Sequence, residues 1–284
     1  MIPAEFEYSA PDTLDAAIEA LRATDGDGMV LAGGQSLMPL LRLRLAYPEA
    51  LVDLAKVPEL TGVRDDGDHL RIGAMTTYAD ILADPLVAAH CPLLARTAAL
   101  VGDPAIRHRG TVGGSMAHAD PAGDLPAVAT ALDAELVLQG PSGTRAVPAG
   151  DFFVDYLTTT RGPDELLVAV RVPKLTGWGA HYEKFTRTAQ AWAVVAVAAA
   201  VRVADGTIQE ARVGLANMGP TPVRARGVES AVQGAPATRD ALREAAAHAD
   251  EGTQPPSDLH GREDYRRHLS RELTERALAA AAGL

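Results

Sequence analysis

The sequence predicts an α+β protein assembled from more than one unit, and three stretches carry that prediction. Between residues 28 and 54 a short apolar run, a Gly-Gly turn, a leucine stripe at helical spacing and a second apolar run follow one another. Around Asp205-Gly206, apolar runs alternate in the manner of a three-stranded antiparallel meander. Near the C-terminus, Tyr265, Leu269, Leu273 and Ala277 recur every four residues in one long helix whose other faces carry arginine and glutamate. At 284 residues, with 47% apolar and 22% charged side chains, the chain is long enough for two domains, or a large one with a satellite, around a packed core. Aromatic residues make up only 4%, so alanine and valine must fill that core by close packing.

Taken in order, Ser9, Asp12 and Thr13 are possible caps for a helix over "LDAAIEALRA", in which Leu14, Ala17, Ile18 and Leu21 form one apolar stripe. "MVLAGG" (29–34) reads as a buried strand ending on Gly33-Gly34. "SLMPLLRLRL" follows as a helix with Ser36 as its candidate N-cap and Pro39 tolerated in the first turn. "ALVDL" (50–54) is the return strand. Strand, glycine turn, helix and strand is a layout that binds anions. From 59 to 173 the pattern changes: "HLRIGAMTT" is a strand, "YADIL" opens a helix, and another helix covers residues 92–101. A second glycine-rich loop, "GTVGGSMAHADPAGDLP" (110–126), leads into a helix over "LPAVATALDA". "AELVLQGPSGTRAVP" has the signature of a hairpin, and "ELLVAVRVP" is a strand stopped by Pro173. "KLTGWG" (174–179) marks the clearest boundary, which gives units at 1–58, 59–173 and 177–284. "AWAVVAVAAAV" (191–201) is too short to span a bilayer and reads as a buried strand, and "GTQPPSDLHG" is a surface connector.

The formal net charge of −11 leaves no basic footprint for nucleic acid. A single cysteine, Cys91 in "AAHCPLLA", excludes an internal disulfide and any iron–sulfur cluster or structural zinc held by cysteines of this chain; it reads as a small buried hydrophobe. No N-terminal segment carries the charged and apolar regions of a secretory signal, so a cytoplasmic location is expected.

The two glycine stretches set the functional question. A Gly-Gly pair lets the backbone approach a ligand closely, so consecutive N–H groups can converge on an anion. Alone, "AGGQS" reads as a tight turn, and it is neither a dinucleotide fingerprint nor a Walker loop. In the second stretch Asp124 suits vicinal hydroxyls of a ribityl or ribose group, or else caps the following helix; local sequence does not separate the two. His118, Asp120 and Asp124 could be drawn as metal ligands, but the stretch is broken by Pro and Gly and no second cluster accompanies it, so no metal is expected. Two anion-friendly loops in one acidic chain suit a ligand with a central diphosphate, such as FAD.

With "AGGQSLMPLLRLRLAYPEALVDL", "IGAMTTYADIL", "RHRGTVGGSMAHADPAGDLP", "DFFVDYLTT", "PDELLVAVRVP" and "EKFTRTAQAWAVV" in order, the chain resembles the FAD-binding medium subunits of molybdenum hydroxylases. Within these it is nearest to the carbon monoxide dehydrogenase type, with xanthine dehydrogenase more distant. The resemblance covers essentially the whole chain. It implies a vanillyl-alcohol-oxidase-like fold of two FAD-binding subdomains, followed by a C-terminal three-stranded antiparallel sheet with a helical bundle. It further implies that Ala32, Gly33, Gly34, Gln35 and Ser36 cradle the diphosphate from one side and Thr111, Val112, Gly113, Gly114 and Ser115 from the other. Asp124 would contact the hydroxyl-bearing part of the cofactor. Leu167 and Lys184 would lie near the flavin ring; Trp192 is either a ring neighbour or a core aromatic at a strand start. No residue of the chain is expected to act as a catalytic acid or base, since the chemistry belongs to FAD. The partners implied are a large subunit with the molybdenum cofactor and a small subunit with two 2Fe–2S clusters, assembled as a dimer of heterotrimers. The acceptor stays open among NAD, a quinone, a ferredoxin-like protein and oxygen. A free-standing flavin oxidase or dehydrogenase and a non-catalytic nucleotide-binding scaffold are the competing readings.

Overall fold

The computed structural model describes residues 2–284. Its first unit runs β1 (Glu7–Ser9), α1 (Leu14–Arg22), β2 (Gly28–Leu31), α2 (Leu37–Leu43) and β3 (Ala50–Asp53). The three strands are parallel in the order β1-β3-β2, with Tyr8, Leu51 and Met29 in register. Of the three proposed caps for α1, Thr13 does the work: its side chain accepts from the Ala16 N–H, and Ala17, Ile18 and Leu21 are buried. Ser36 stands at the N-cap of α2 but makes no capping bond, which leaves its hydroxyl available.

The second unit begins with β4 (Val63–Asp66), β5 (His69–Gly73), α3 (Tyr78–Ala83), α4 (Pro85–His90), α5 (Pro92–Ala99) and α6 (Pro104–Arg107). It continues through α7 (Val112–His118), α8 (Asp124–Ala131), β6 (Glu135–Gly140), β7 (Gly143–Pro148), α9 (Ala149–Phe152), β8 (Phe153–Asp155), β9 (Thr158–Thr159) and β10 (Leu166–Pro173). The main sheet is antiparallel in the order β4-β5-β10-β6-β7, so the last strand of the unit sits at its centre. That position explains why "LLVAV" is apolar at every residue: both faces are covered. Leu166 and Val168 join the core shared with α1, while Leu167 and Val170 face the helical side, and a bulge lies between Leu167 and Ala169.

One expectation is corrected here. The second glycine stretch is not an open loop. Its Val112–His118 portion is the helix α7, with Thr111 as N-cap and Gly113 and Gly114 inside the first turn. Glycine is a poor helix former, so local propensity argues for a loop. Tertiary space overrides it, because a Cβ at Gly113 would lie 2.4 Å from that of Ala74.

The third unit comprises β11 (Gly179–Phe185), β12 (Val195–Ala204), β13 (Thr207–Ala216), β14 (Val223–Arg224), α10 (Arg226–Val232), α11 (Arg239–Ala246) and α12 (Glu263–Ala282). The expected three-stranded meander gains β14 as a two-residue edge strand beside β13. On β12, Ala196, Ala198 and Ala200 face the second unit, and Val195, Val197 and Val201 face the helices. The small side chains let the two layers approach closely. In α12, Leu269, Leu273 and Ala277 are buried as the stripe predicts, while Tyr265 stays partly exposed, edge-on to Phe185. The polar faces of α12 hold an exception: Arg266 is fully buried, its Nη2 donating to both Asp258 carboxylate oxygens at 2.7 and 2.8 Å.

Candidate functional site

A cleft of about 840 Å³ opens between the first and second units and reaches β11 and the segment before β12. Its volume is that of a small-molecule or cofactor site, for which about 300–1,000 Å³ is usual. Every residue proposed from the sequence lines it except Val112. Val112 turns into the core at 1% exposure, and its N–H donates to the Thr76 carbonyl at 3.0 Å.

The two glycine pairs meet across the cleft. A Cβ on Gly33 would stand 2.1 Å from the Arg109 carbonyl oxygen, and one on Gly114 would stand 3.6 Å from the Ala32 Cβ. Gly33 is therefore required by close approach of two backbones, and Gly34 by its positive φ of +75°. The two pairs differ in what they offer a ligand. In the first, no N–H from Gly33 to Leu37 donates to an acceptor among the described residues. These groups sit at the mouth of α2 and need partners from outside the chain. In the second, the donors are already used. Gly113 N–H bonds the Ala74 carbonyl at 2.8 Å, Gly114 N–H bonds Thr111 Oγ1 at 3.0 Å, and Ser115 N–H bonds the Thr111 carbonyl at 3.1 Å. The expectation of backbone donors from both stretches is thus corrected to one open cradle, faced by a capped helix that presents hydroxyls and the positive end of its dipole.

Asp124 is the first residue of α8, with Gly123 as the N-cap, so the capping role weighed from the sequence does not apply. Its carboxylate accepts from Tyr182 Oη on Oδ1 and from Lys184 Nζ on Oδ2, both at 2.7 Å, and the Lys184 and Asp124 side chains are 7% and 6% exposed. Burial pushes the Asp124 carboxyl above the usual carboxylate range, while Lys184 and Tyr182 pull against that rise. The Tyr182 phenol is pushed well up by burial and by the neighbouring carboxylate. The three residues form a desolvated phenol–carboxylate–ammonium row, of which Asp124 and Lys184 line the cleft and Tyr182 lies in the core.

His118 and Asp120, the other residues weighed as metal ligands, approach to 3.9 Å, and burial lowers the His118 value against the opposing pull of Asp120. With Asp124 held by Tyr182 and Lys184, the three do not converge; among the described residues no group of three or more such side chains forms a metal site. Leu167 is buried in β10 with an edge on the cleft, and Trp192 is 55% exposed, so it is not a core aromatic.

Residues 4–175 match the family described as the FAD binding domain in molybdopterin dehydrogenase, and residues 180–281 match the CO dehydrogenase flavoprotein C-terminal domain. The chain belongs to the FAD-binding medium subunits of the molybdenum hydroxylases. The subunit is 41% identical to the carbon monoxide dehydrogenase medium chain of Hydrogenophaga pseudoflava over 99% of this chain and 98% of that one. Identity to the glyceraldehyde dehydrogenase medium chain of Sulfolobus acidocaldarius is 36%, over 99% and 100%. A solved structure of the Hydrogenophaga pseudoflava carbon monoxide dehydrogenase, lacking the Mo-pyranopterin moiety of its molybdenum cofactor, aligns at a TM-score of 0.97. That alignment has 42% identity and covers 100% of this chain and 99% of the other. The fold is thus the α+β fold of these FAD-binding subunits.

Three residues at or behind the cleft wall of the subunit escaped the sequence reading. Tyr78 is buried, and burial pushes its phenol up to about 12, against an opposing influence of Ser115. A Cβ on Gly110 would stand 2.7 Å from its ring, so Gly110 and Tyr78 fit each other. Arg161 also lines the cleft, its guanidinium held by the Gly162 and Glu165 carbonyls at 2.8 and 2.9 Å. Tyr182 was the third, and a local signal did exist for it. It stands two residues before Lys184 on one strand, and therefore on the same face. No helix among the described residues is long and apolar enough to cross a membrane.

Proposed function

We propose that the chain is the electron-transfer subunit of a cytoplasmic three-subunit molybdenum hydroxylase, holding FAD between a 2Fe–2S small subunit and an external acceptor. The observation that carries this is the unbonded N–H row from Gly33 to Leu37, which opens on a cleft of cofactor size. An acidic chain needs such backbone donors to hold a diphosphate. Glycine at position 33, against the Arg109 carbonyl, lets the first cradle close on the second unit. Ser36, Thr111 and Ser115 add hydroxyls, and Leu167 and Trp192 offer apolar surface to a flat ring. Bound there, FAD supplies electron exchange in steps of one or two. Asp124 fits the cofactor's hydroxyls only through lone pairs that Tyr182 and Lys184 leave free, so its main role is to hold Lys184.

With Cys91 the only cysteine, and buried, iron–sulfur clusters belong to a partner chain. A large subunit with the molybdenum cofactor completes the assembly, as a dimer of heterotrimers. The division into units 1–58, 59–173 and 177–284 gives most of the cofactor contacts to the first two, while the third adds Lys184 from β11 and Trp192. Co-expression with the neighbouring subunits and measurement of flavin absorbance test the assignment. Stoichiometric FAD is the expected result; a folded chain that takes up none, even with its partners, removes it. Gly114→Trp fills the space beside Ala32 and is expected to abolish FAD retention while leaving the third unit folded.

A further inference from the structure

The row Tyr182–Asp124–Lys184 carries more than the architecture requires. Tyr182 and Lys184 are alternate residues of β11, so strand geometry aims both at the first residue of α8. Lysine has three donors. Asp124 Oδ2 takes one at 2.7 Å and the Leu100 carbonyl another at 3.3 Å, while the third has no acceptor among the described residues. Lys184 lines the cleft, so a desolvated ammonium with a spare donor is held against the space assigned to the cofactor.

Resting on the FAD reading above, we propose that Lys184 is the charge that sets the redox potential of the bound FAD. Asp124 and Tyr182 act as positioning residues that fix how much of that charge the cofactor senses. Two-electron reduction with uptake of one proton leaves FAD one unit more negative, the electrons coming from the molybdenum subunit in the assembly or from added dithionite in a titration. A cation in a water-poor site favours the more negative form. The diphosphate keeps the same charge in both forms, so an ammonium acting only there changes affinity and not potential. The two roles are therefore separable by measurement.

The test is a redox titration of the FAD-loaded full chain against a reference dye, with FAD affinity measured in parallel. Lys184→Met is expected to lower the ratio of reduced to oxidised FAD at a given poise at least tenfold, about 30 mV for a two-electron couple. Asp124→Asn keeps the shape, removes the counter-charge, and moves the ratio the opposite way. Tyr182→Phe retains both charges and moves it less than either, and Lys184→Arg restores a value near the parent. Lys184→Gln carries the same expectation as Lys184→Met should the apolar variant fold poorly. Charge variants that leave the ratio unchanged, or shift it in one common direction, overturn the proposal. So does loss of FAD affinity in Lys184→Met or Lys184→Gln without a change in potential. Failure of the parent chain to bind FAD at all is a different result, and it refutes the functional reading instead.

Discussion

Replacing Gly33 with alanine tests the closure of the cleft directly. The added Cβ would stand 2.1 Å from the Arg109 carbonyl oxygen, 2.8 Å from its carbon and 2.9 Å from the Gly110 Cα. All three are backbone atoms, so no side chain can swing aside. Since carbon contacts are optimal at about 3.5–4.0 Å, the two segments must part by roughly 1 Å. Overpacking of this kind costs about 1–3 kcal/mol, and a backbone clash belongs in the upper half of that range. Whatever part the free chain relieves by opening the cleft returns as lost affinity, because closure must then be recovered on binding. If all of it appears in affinity, about 2–3 kcal/mol weakens FAD roughly 30- to 150-fold. If all of it appears in stability, the melting temperature falls by roughly 4–12 °C. Thermal unfolding without FAD, together with a fluorescence titration of FAD, measures both shares. Gly150→Ala is the control: its Cβ meets nothing within 4 Å and its φ is not positive, so it is expected to be neutral or stabilising by about 0.4–1 kcal/mol. A Gly33→Ala chain that keeps both the melting temperature and the affinity of the parent would refute the close-approach argument.

Three further outcomes follow from burial and charge. Burial pushes the Cys91 thiol up to about 12, so almost no thiolate exists at pH 8; the native chain should resist thiol reagents and take up one equivalent once unfolded in urea, and rapid native labelling would contradict this. Asp258→Ala strips the buried Arg266 guanidinium of its carboxylate partner. Because Asp258 is 41% exposed, the cost should fall near 2 kcal/mol in urea unfolding rather than at the level of a fully buried pair, and an unchanged midpoint would count against it. The Arg145 guanidinium holds Glu165 below its usual value. A lowered carboxylate contributes stability above its unfolded value near 4.3 and loses it as pH falls. The stability gap between the parent and Arg145→Ala should therefore be widest near neutrality and close in acid; a gap that widens on acidification would reverse the sign.

Periodic features were legible because they are properties of contiguous residues. The buried strand within 191–201, the Leu269–Leu273–Ala277 stripe, the hairpin over 135–148 and the strand–glycine–helix–strand order all appear in the structure where the sequence places them. The candidate cleft residues were legible too, through the glycine stretches and the order of the family motifs. Other features were not. α7 was missed because two glycines lower local helix propensity, whereas the Thr111 cap and the space beside Ala74 decide the conformation. Arg266 reads as one more arginine on a polar face, and only the loop carrying Asp258 makes its burial tolerable.

The sequence by itself determined that the chain has a backbone-exposing turn at Gly33-Gly34, a second glycine stretch before Asp124, and a single cysteine, too few to hold a cluster. Only the tertiary structure decided which of these stretches presents free donors. Gly113 spends its N–H on Ala74, whereas no acceptor among the described residues reaches the N–H row from Gly33 to Leu37. Likewise, Asp124 became the anchor of an ammonium because β11 delivers Tyr182 and Lys184 from 58 and 60 residues away. Local sequence sets which groups a segment carries. Whether a donor stays open or is satisfied depends on acceptors brought in by distant segments, and folding alone chooses those.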